Sequence, residues 1–322
     1  MRFSAKRRTV IAGILGLAVT LPLSACGGSG DTSSGNGPEK TTVTVGALPV
    51  IDYVALWVAQ QKGLFKQEGL NVKIEVLPGG SAAVAKLVAG SLDFSINNYV
   101  SAIQATETGT APMKILLDAY QINPDSSGVL VPQDSPIKKP GDLKGKKIAV
   151  NTKANVGQLL VTAGLQTYNV KPADSQFAEI DFPQMANALK SKSVDAVWTV
   201  EPFVTQIQKQ LGGRLVLDTA EGSTANFPIG AYTTTQKFAQ ENPKTTAAFK
   251  RALVKASDMI ANDRSLVQKT LPTYSKIDPK TASLIHIATY PGSVNQQRSQ
   301  QVADLMTQYG FLKKHFDINP ML

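Results

Sequence analysis

The stretch LVAGSLDFSINN (residues 87–98) has a counterpart further along the chain, LKSKSVDAVWTV (residues 189–200). In both stretches a leucine lies six residues before an aspartate, which is Asp93 in the first, and an apolar residue follows the aspartate. A helix start is predicted twelve residues before each aspartate, at Ser81 and at Pro183. We therefore predict one helix–turn–strand unit that is used twice, once in each of two lobes.

Around these two stretches, short β-branched or alternating segments are interleaved with helical segments. Strands are predicted at 41–49, 71–77, 92–96, 147–151, 176–180, 194–200 and 214–217, and helices at 53–63, 81–89, 100–109, 244–261 and 293–309. Such interleaving is typical of βαβ units and of a largely parallel sheet, so the predicted class is α/β. Helix 244–261 carries one apolar stripe, formed by Phe249, Ala252, Leu253, Ala256 and Ile260, which we expect to pack on the first lobe.

The beginning of the chain resembles an export signal. Four basic residues precede an apolar run at 10–23, which is shorter than the roughly 20 residues that a membrane span needs. The sequence Leu-Ser-Ala-Cys that ends at Cys26 resembles a bacterial lipobox, so this single cysteine is expected to carry the lipid of a membrane anchor. Residues 27–40 are rich in glycine and serine and are predicted to form a flexible tether.

Composition excludes several classes of function. The net charge of +9 falls to +5 without the first 25 residues, which hold four basic residues and no acid, and the remaining basic residues are scattered. Nucleic-acid binding would call for a basic stripe with interleaved aromatic residues, which is missing. His286 and His315 have no metal-ligand spacing, and the cysteine is taken by the anchor. We therefore expect no metal, no cofactor and no enzymatic activity.

Two lobes imply a cleft in which a small ligand binds. In parallel sheets, ligands lie beyond the carboxyl ends of the strands and near helix N-termini. Applied to the predicted strands, this rule gives twelve candidate ligand-binding residues: Asp52, Tyr53, Gly80, Ser81, Asn97 and Asn98 in the first lobe, Thr152, Asn155, Val156, Trp198 and Glu201 in the second, and Asn226 where the chain crosses back.

A family resemblance rests on GLFKQEGLNVKIEVLPGG (63–80) together with VAGSLDFSINN (88–98) and DAVWTVEPF (195–203). These segments resemble the SsuA/TauA/NrtA/ThiY-like family (NitT/TauT) of substrate-binding proteins, which serve ABC importers of sulfonates, taurine, nitrate and thiamine precursors. The resemblance implies a type II periplasmic-binding-protein fold with two hinge crossings. It also implies an extracytoplasmic monomer that delivers its ligand to an ABC permease and ATPase.

The resulting domain organisation has five parts. We predict a lipoprotein signal peptide at 1–25, a lipid anchor and tether at 26–40, and the first part of lobe 1 at 41–130. Lobe 2 is expected at 131–223, and residues 224–322 are expected to return to lobe 1 and to end in helices. The anchor would hold the protein at the extracytoplasmic face of the cell membrane, and no nucleic-acid partner is expected.

The ligand itself is constrained by charge. Helix starts at Ser81 and near Asn155 would favour an anionic head group, whereas Asp52 and Glu201 would repel a simple anion. A ligand with a donor end satisfies both, such as taurine or an aminopyrimidine stacked on Trp198. Alternatively, Glu201 caps the helix that follows it and does not contact the ligand. A nitrate-binding protein and a tethered ligand-sensing receptor for a signalling partner remain the alternative functions.

Overall fold

A computed structural model describes residues 37–170 and 176–322, which form one compact unit. The strands are β1 Thr42–Ala47, β2 Asn71–Val76, β3 Phe94–Asn98, β4 Met113–Gln121, β5 Ser127–Val131, β6 Lys147–Val150, β7 Gln176–Glu179, β8 Ala196–Val200, β9 Arg214–Asp218 and β10 Pro228–Thr235. The helices are α1 Val54–Gln61, α2 Leu64–Gln67, α3 Gly80–Val88, α4 Tyr99–Glu107, α5 Val156–Gln166, α6 Met185–Lys190, α7 Phe203–Leu211, α8 Gln236–Glu241, α9 Pro243–Asn262, α10 Ser265–Thr270, α11 Pro272–Ser275, α12 Pro279–Ala282 and α13 Gln296–Gln308. The predicted signal peptide and the lipidation of Cys26 lie outside the described residues, among which no helix is long and apolar enough to cross a membrane.

The strands form two five-stranded sheets, ordered β2-β1-β3-β10-β4 and β7-β6-β8-β5-β9. Each sheet contains one antiparallel strand, which is β10 in the first and β5 in the second. That strand is the one that enters directly from the other sheet, which reverses its direction. The α/β class and the two-lobed fold with two crossings are therefore confirmed, and the sheets are mixed.

The crossings lie at 122–126 and 219–227, between β4 and β5 and between β9 and β10. The second crossing includes the boundary expected at 223. The first lies earlier than the boundary expected at 130, because β5 pairs with β8 and β9 and so belongs to the second sheet. The two crossings contact each other where the backbone N–H of Ile122 donates to the carbonyl of Phe227 over 3.1 Å.

The sequence repeat corresponds to a structural repeat. In the first sheet, the Asp93 carboxylate accepts a hydrogen bond from the backbone N–H of Thr44 (2.9 Å), and the Asp93 N–H donates to the Thr44 carbonyl (2.9 Å). In the second sheet, Asp195 makes the same pair of hydrogen bonds with Lys147, at 2.8 and 2.9 Å. Each aspartate thus fixes its strand beside the parallel neighbour, which is β1 for β3 and β6 for β8.

The tether prediction is wrong at its last two residues. The Glu39 carboxylate accepts hydrogen bonds from the backbone N–H groups of Lys244 (3.0 Å) and Thr245 (2.8 Å) at the start of α9. The ammonium group of Lys40 lies 2.6 Å from the Asp93 carboxylate. Because an acid at a helix N-terminus satisfies otherwise orphaned donors, Glu39 belongs to the folded body.

The C-terminal helices return to the first sheet, as expected. All five stripe residues of α9 are buried. The Phe249 ring stacks on Phe94 of β3 with a centroid distance of 4.0 Å and on Phe65 of α2 at 5.3 Å. Burying such a ring contributes about 1.5–3 kcal/mol from apolar area. The stripe therefore fixes the longest helix of the described residues to lobe 1.

In the second lobe, the largest buried side chain is Trp198 of β8, which is 1% exposed. Its indole N–H donates to Thr219 in the second crossing over 3.2 Å, and its ring lies against Gly157 of α5. A Cβ atom built on Gly157 would lie 2.3 Å from that ring, so only glycine allows the helix to approach this closely.

We predict that Gly157→Ala destabilises the protein by about 1–3 kcal/mol, because α5 or Trp198 must shift to accommodate the methyl group. Urea unfolding followed by circular dichroism would measure the effect. Gly141→Ala is the control, since nothing lies within 4 Å of its added Cβ atom. Equal stability of the two variants would show that the contact between α5 and Trp198 is not tight.

Candidate ligand-binding site

A cavity of about 40 Å³ lies between the two sheets at the carboxyl ends of their strands. Six of the twelve predicted residues line it: Asp52, Tyr53, Gly80, Asn98, Val156 and Trp198. Sequence reasoning missed eight others, which are Leu48, Val50, Ile96, Asn151, Phe182, Val200, Ile229 and Gly230. Both lobes contribute, so the cavity is an interlobe cleft, as expected from the fold.

Four of the lining residues occupy equivalent positions in the structural repeat. Ile96 and Asn98 end β3, and Trp198 and Val200 end β8 in the same register after their aspartates. Alternate residues of a strand face the same side, so each lobe presents the same two positions to the cleft. Aligning the two repeats places Ile96 opposite the candidate Trp198, and Val200 opposite the candidate Asn98. This alignment could have identified Ile96 and Val200 from the sequence.

Asp52 provides the carboxylate of the cavity wall. It is 8% exposed, and its Oδ1 atom has no hydrogen-bond partner among the described residues. Its Oδ2 atom lies 3.6 Å from the position of a Cβ atom built on Gly230, which also lines the cavity. Burial raises the pKa of Asp52 to about 7. The cleft therefore contains an unused acceptor that is ready to meet a donor.

The backbone turn that carries Asp52 is held from several sides. The hydroxyl of Tyr274 donates to the carbonyl of Val50, and that of Tyr290 donates to the carbonyl of Ile51, each over 2.9 Å. From the second lobe, the carbonyl of Glu201 accepts from the N–H of Ile51 over 3.2 Å. The C-terminal segment and the second lobe together fix the turn, and with it the position of the Asp52 carboxylate.

Tyr53, the residue after Asp52, is buried, and its hydroxyl donates to the carbonyl of Ile96 over 2.8 Å. The ring therefore presents an apolar face to the cavity while its polar end is satisfied by strand β3. Together with Trp198 and Phe182 it makes the wall largely aromatic and aliphatic. Such a wall suits the apolar part of an organic molecule.

Five predicted site residues lie outside the cavity lining, besides Glu201. They are Ser81, Asn97, Thr152, Asn155 and Asn226. Ser81 is exposed, and α3 begins at Gly80, one residue before the predicted helix start. Asn97 points into the first sheet, where its amide donates to Thr233 over 2.8 Å. Asn226 lies in the second crossing, where its carbonyl accepts from Arg298 over 2.8 Å.

Asn155 connects the two lobes. Its Oδ1 atom accepts from the N–H of Val156 at the start of α5, and its amide donates to the hydroxyl of Ser101 in α4, both over 2.9 Å. Nearby, the amide of Gln104 donates to the carbonyl of Ala154 over 3.1 Å. The helix start that was expected to bind an anion is thus already occupied by a side chain of the same protein.

Glu201 caps the helix that follows it, which was the alternative to a role in ligand binding. Its Oε2 atom accepts from the N–H of Thr205 over 3.1 Å, which caps α7. Its Oε1 atom accepts from the Thr205 hydroxyl (2.7 Å) and from the N–H of His286 (2.9 Å), which belongs to the C-terminal segment. Burial raises the pKa of Glu201, and these hydrogen bonds oppose that rise. Glu201 therefore joins the lobes and does not line the cavity.

The structure is closed. Besides the contacts of Ile51, Asn155 and His286, the ammonium group of Lys209 in α7 donates to Thr281 of α12 over 2.8 Å. These hydrogen bonds join the two lobes directly. They are the contacts that an opening motion must break.

Charge in the cleft favours a positive ligand. Among the described residues that line the cavity, Asp52 is acidic and none is lysine, arginine or histidine. Lys153, the basic residue nearest in sequence to this edge of the second sheet, is not in the lining. No cluster of metal-ligating side chains occurs among the described residues either. The arrangement can accept donors from a ligand but offers no cation to an anion.

The buried charge of Asp52 should destabilise the protein above neutral pH. Because its pKa is about 7 when folded and 3.8 when unfolded, the folded state holds the proton more tightly, and stability falls as pH rises between these values. We predict that Asp52→Asn becomes more stable than the wild type at pH 8, by up to about 4 kcal/mol, and that the gap shrinks toward pH 5. Urea unfolding at both pH values measures this. Asp181→Asn, at an exposed carboxylate, is the control, and parallel pH profiles for wild type and Asp52→Asn would contradict the assignment.

Glu201→Ala should have the opposite effect. It leaves the N–H groups of Thr205 and His286 without their buried acceptor, at a cost of about 3 kcal/mol or more at pH 7. Thermal unfolding measures the loss. Glu241→Ala, which removes an exposed carboxylate with a 4.0 Å ion pair, should change stability by less than about 0.5 kcal/mol. A Glu201→Ala protein as stable as this control would refute the structural role of Glu201.

Comparison with known proteins identifies the family and supports the fold. Residues 51–265 match the NMT1/THI5-like family.

A Brachyspira hyodysenteriae protein named as an ABC transporter periplasmic binding protein is 28% identical over 293 residues, which cover 84% of this chain and 80% of that protein. The alkanesulfonate-binding protein SsuA from Xanthomonas axonopodis pv. citri, solved bound to MOPS, has a TM-score of 0.75 at 19% identity and covers 88% of this chain and 98% of its own. The desulfurization enzyme DSZB also has this fold, with a TM-score of 0.66 at 15% identity over 88% of this chain and 96% of its own. The chain therefore belongs to the NMT1/THI5-like family and has the fold of the periplasmic binding proteins.

Proposed function

We propose that this protein is the extracytoplasmic solute-binding component of an ABC importer. It captures a small organic molecule between its lobes and presents the closed form to a membrane permease and its ATPase. The observation that carries the proposal is the Asp52 carboxylate, buried in an interlobe cleft with an acceptor atom that has no partner among the described residues. The ABC-transporter relative supports the importer role.

The lining of the cleft supports binding over catalysis. Among the described residues that line it, none is serine, threonine, cysteine, histidine or lysine. The other ionisable side chain in the lining is Tyr53, whose pKa burial raises well above its usual value and whose hydroxyl already donates to the carbonyl of Ile96. His286 contacts the cleft region through its backbone N–H, which bonds to Glu201. A bound molecule would therefore be held and released without chemical change.

Closure provides the signal for transport. The interlobe hydrogen bonds of Ile51, Asn155 and His286 are made in the closed state, and a ligand that contacts both lobes adds to them. A ligand shifts the balance between open and closed forms only through contacts that differ between them. Asp52 belongs to the first lobe and Trp198 to the second, so a molecule that contacts both favours closure.

Ligand chemistry follows from the charge of the cleft. A protonated amine, or the N–H groups of a nitrogen-rich ring, would satisfy the Oδ1 atom of Asp52. Taurine and aminopyrimidines carry such donors, whereas nitrate carries none. A bare anion would face the Asp52 carboxylate with no cation in the lining to offset it. We therefore favour an amine-bearing organic ligand.

The location is part of the same proposal. Cys26 would carry the lipid after removal of residues 1–25, and residues 27–38 would link it to Glu39, the first side chain bound to α9. The protein would then act as a monomer held close to the permease at the outer face of the membrane.

A ligand panel tests the function. We predict that amine-bearing compounds raise the unfolding temperature of the wild type and bind with roughly micromolar affinity, which corresponds to about 8 kcal/mol. Thermal-shift screening and titration calorimetry with primary amines, taurine, aminopyrimidines, alkanesulfonates and nitrate measure this. Asp52→Asn should lose the response, and Asp258→Asn, at an exposed carboxylate outside both this cavity and its surroundings, should keep it. Stabilisation by nitrate alone would contradict the ligand class, and turnover of a panel compound would contradict the binding role.

A further inference from the structure

A second cavity of about 320 Å³ lies at the mouth of the cleft. It shares two lining residues with the inner cavity, Leu48 from the first lobe and Phe182 from the second. These two side chains therefore stand between the inner cavity and the mouth. A molecule that occupied both spaces would pass between Leu48 and Phe182.

The mouth cavity is largely apolar. Its walls include Val76, Leu77 and Pro78 from the first lobe and Pro183 from the second. Val76 is 56% exposed, so its side chain leaves apolar surface open beside the cleft. Apolar surface left open beside a binding cleft is a feature of ligand grooves. The mouth therefore suits a hydrocarbon or aromatic group.

The inner cavity suits only a head group. One water molecule requires about 10–15 Å³ of cavity volume, so the 40 Å³ of the inner cavity holds about three atoms of that size. The Oδ1 atoms of Asp52 and Asn151 are buried acceptors without a partner in this lining, and Asp52 is the one that can carry charge. A head group of a few heavy atoms fills it, and the rest of an organic ligand must extend toward the mouth.

The side chain of Phe182 is held in place by its aromatic neighbours. Its ring stacks on Phe203 of α7 with a centroid distance of 5.6 Å and an interplanar angle of 17°, and it lies 6.0 Å from Trp198. It is 8% exposed. An aromatic side chain fixed in this way provides one firm wall of a passage, whereas Leu48 on the opposite lobe moves away when the lobes open.

We propose that the ligand is an organic cation of two parts, with an ammonium head at Asp52 and an apolar body that passes between Leu48 and Phe182 into the mouth cavity. The inference rests on the proposed binding function and specifies the ligand of the same site. Asp181 at the mouth adds a second carboxylate, and no lysine, arginine or histidine lines either cavity among the described residues. No side-chain cation of either lining would therefore offset the charge of an anionic group on this path.

Titration calorimetry with primary n-alkylamines from ethylamine to octylamine tests this two-part ligand. In the wild type, affinity should increase about fourfold for each methylene group that enters the mouth cavity. Val76→Ser should weaken octylamine several-fold and leave ethylamine nearly unchanged. Val88→Ser is the matched control, because Val88 is also exposed (46%) and lies outside both cavities. Asp52→Asn should weaken the binding of every amine by a similar factor.

The outcomes separate the inference from the function. Amine affinities that do not depend on chain length, or that fall as the chain grows, would overturn the two-part ligand and leave the binding function in place. The same holds if Val76→Ser and Val88→Ser behave alike. Failure of amines, sulfonates and nitrate alike to bind would overturn the ligand class and count against the proposed function itself.

Discussion

The central constraint on the cleft is the buried carboxylate of Asp52, whose Oδ1 atom has no hydrogen-bond partner among the described residues. A buried acceptor without a donor costs free energy, and a ligand that supplies the donor recovers that cost. The surrounding structure maintains this arrangement: Tyr274 and Tyr290 hold the backbone beside Asp52, and Gly230 leaves room for its second oxygen. The C-terminal third of the chain thus positions a residue near the beginning of the folded body.

The same turn couples the site to closure. The N–H of Ile51, beside Asp52, bonds to the carbonyl of Glu201, and the carboxylate of Glu201 bonds to the N–H of His286. Asp52 and Glu201 are both buried acids, but only Asp52 has an acceptor left for a ligand. The carboxylate of Glu201 therefore helps to hold the two lobes together. The carboxylate of Asp52 makes the stability of the closed form depend on the molecule that is bound.

Much of the architecture could be predicted because local pattern determines it. The strand–helix order, the α9 stripe and the repeat at Asp93 and Asp195 all follow from periodicity within short segments. The antiparallel strands β5 and β10 could not be predicted in the same way, since their direction depends on which sheet they join. For that reason Ile229 and Gly230 of β10 were missed as lining residues, as was Phe182 in a short turn. Glu201 was predicted to lie in the cleft because it follows the carboxyl end of a strand. Its actual hydrogen bonds involve residues distant in sequence, such as His286, and could not be predicted from that rule.

Proton release on binding tests the role of Asp52 most directly. Hexylamine remains protonated at pH 7, whereas the pKa of about 7 leaves Asp52 roughly half protonated in the unliganded protein. Calorimetric titration of hexylamine at pH 7, in buffers of different ionisation enthalpy, should therefore show release of about half a proton. The release should fall to zero at pH 9 and be absent in Asp52→Asn. Binding of the amine without proton release, or with the same release in Asp52→Asn, would contradict the account.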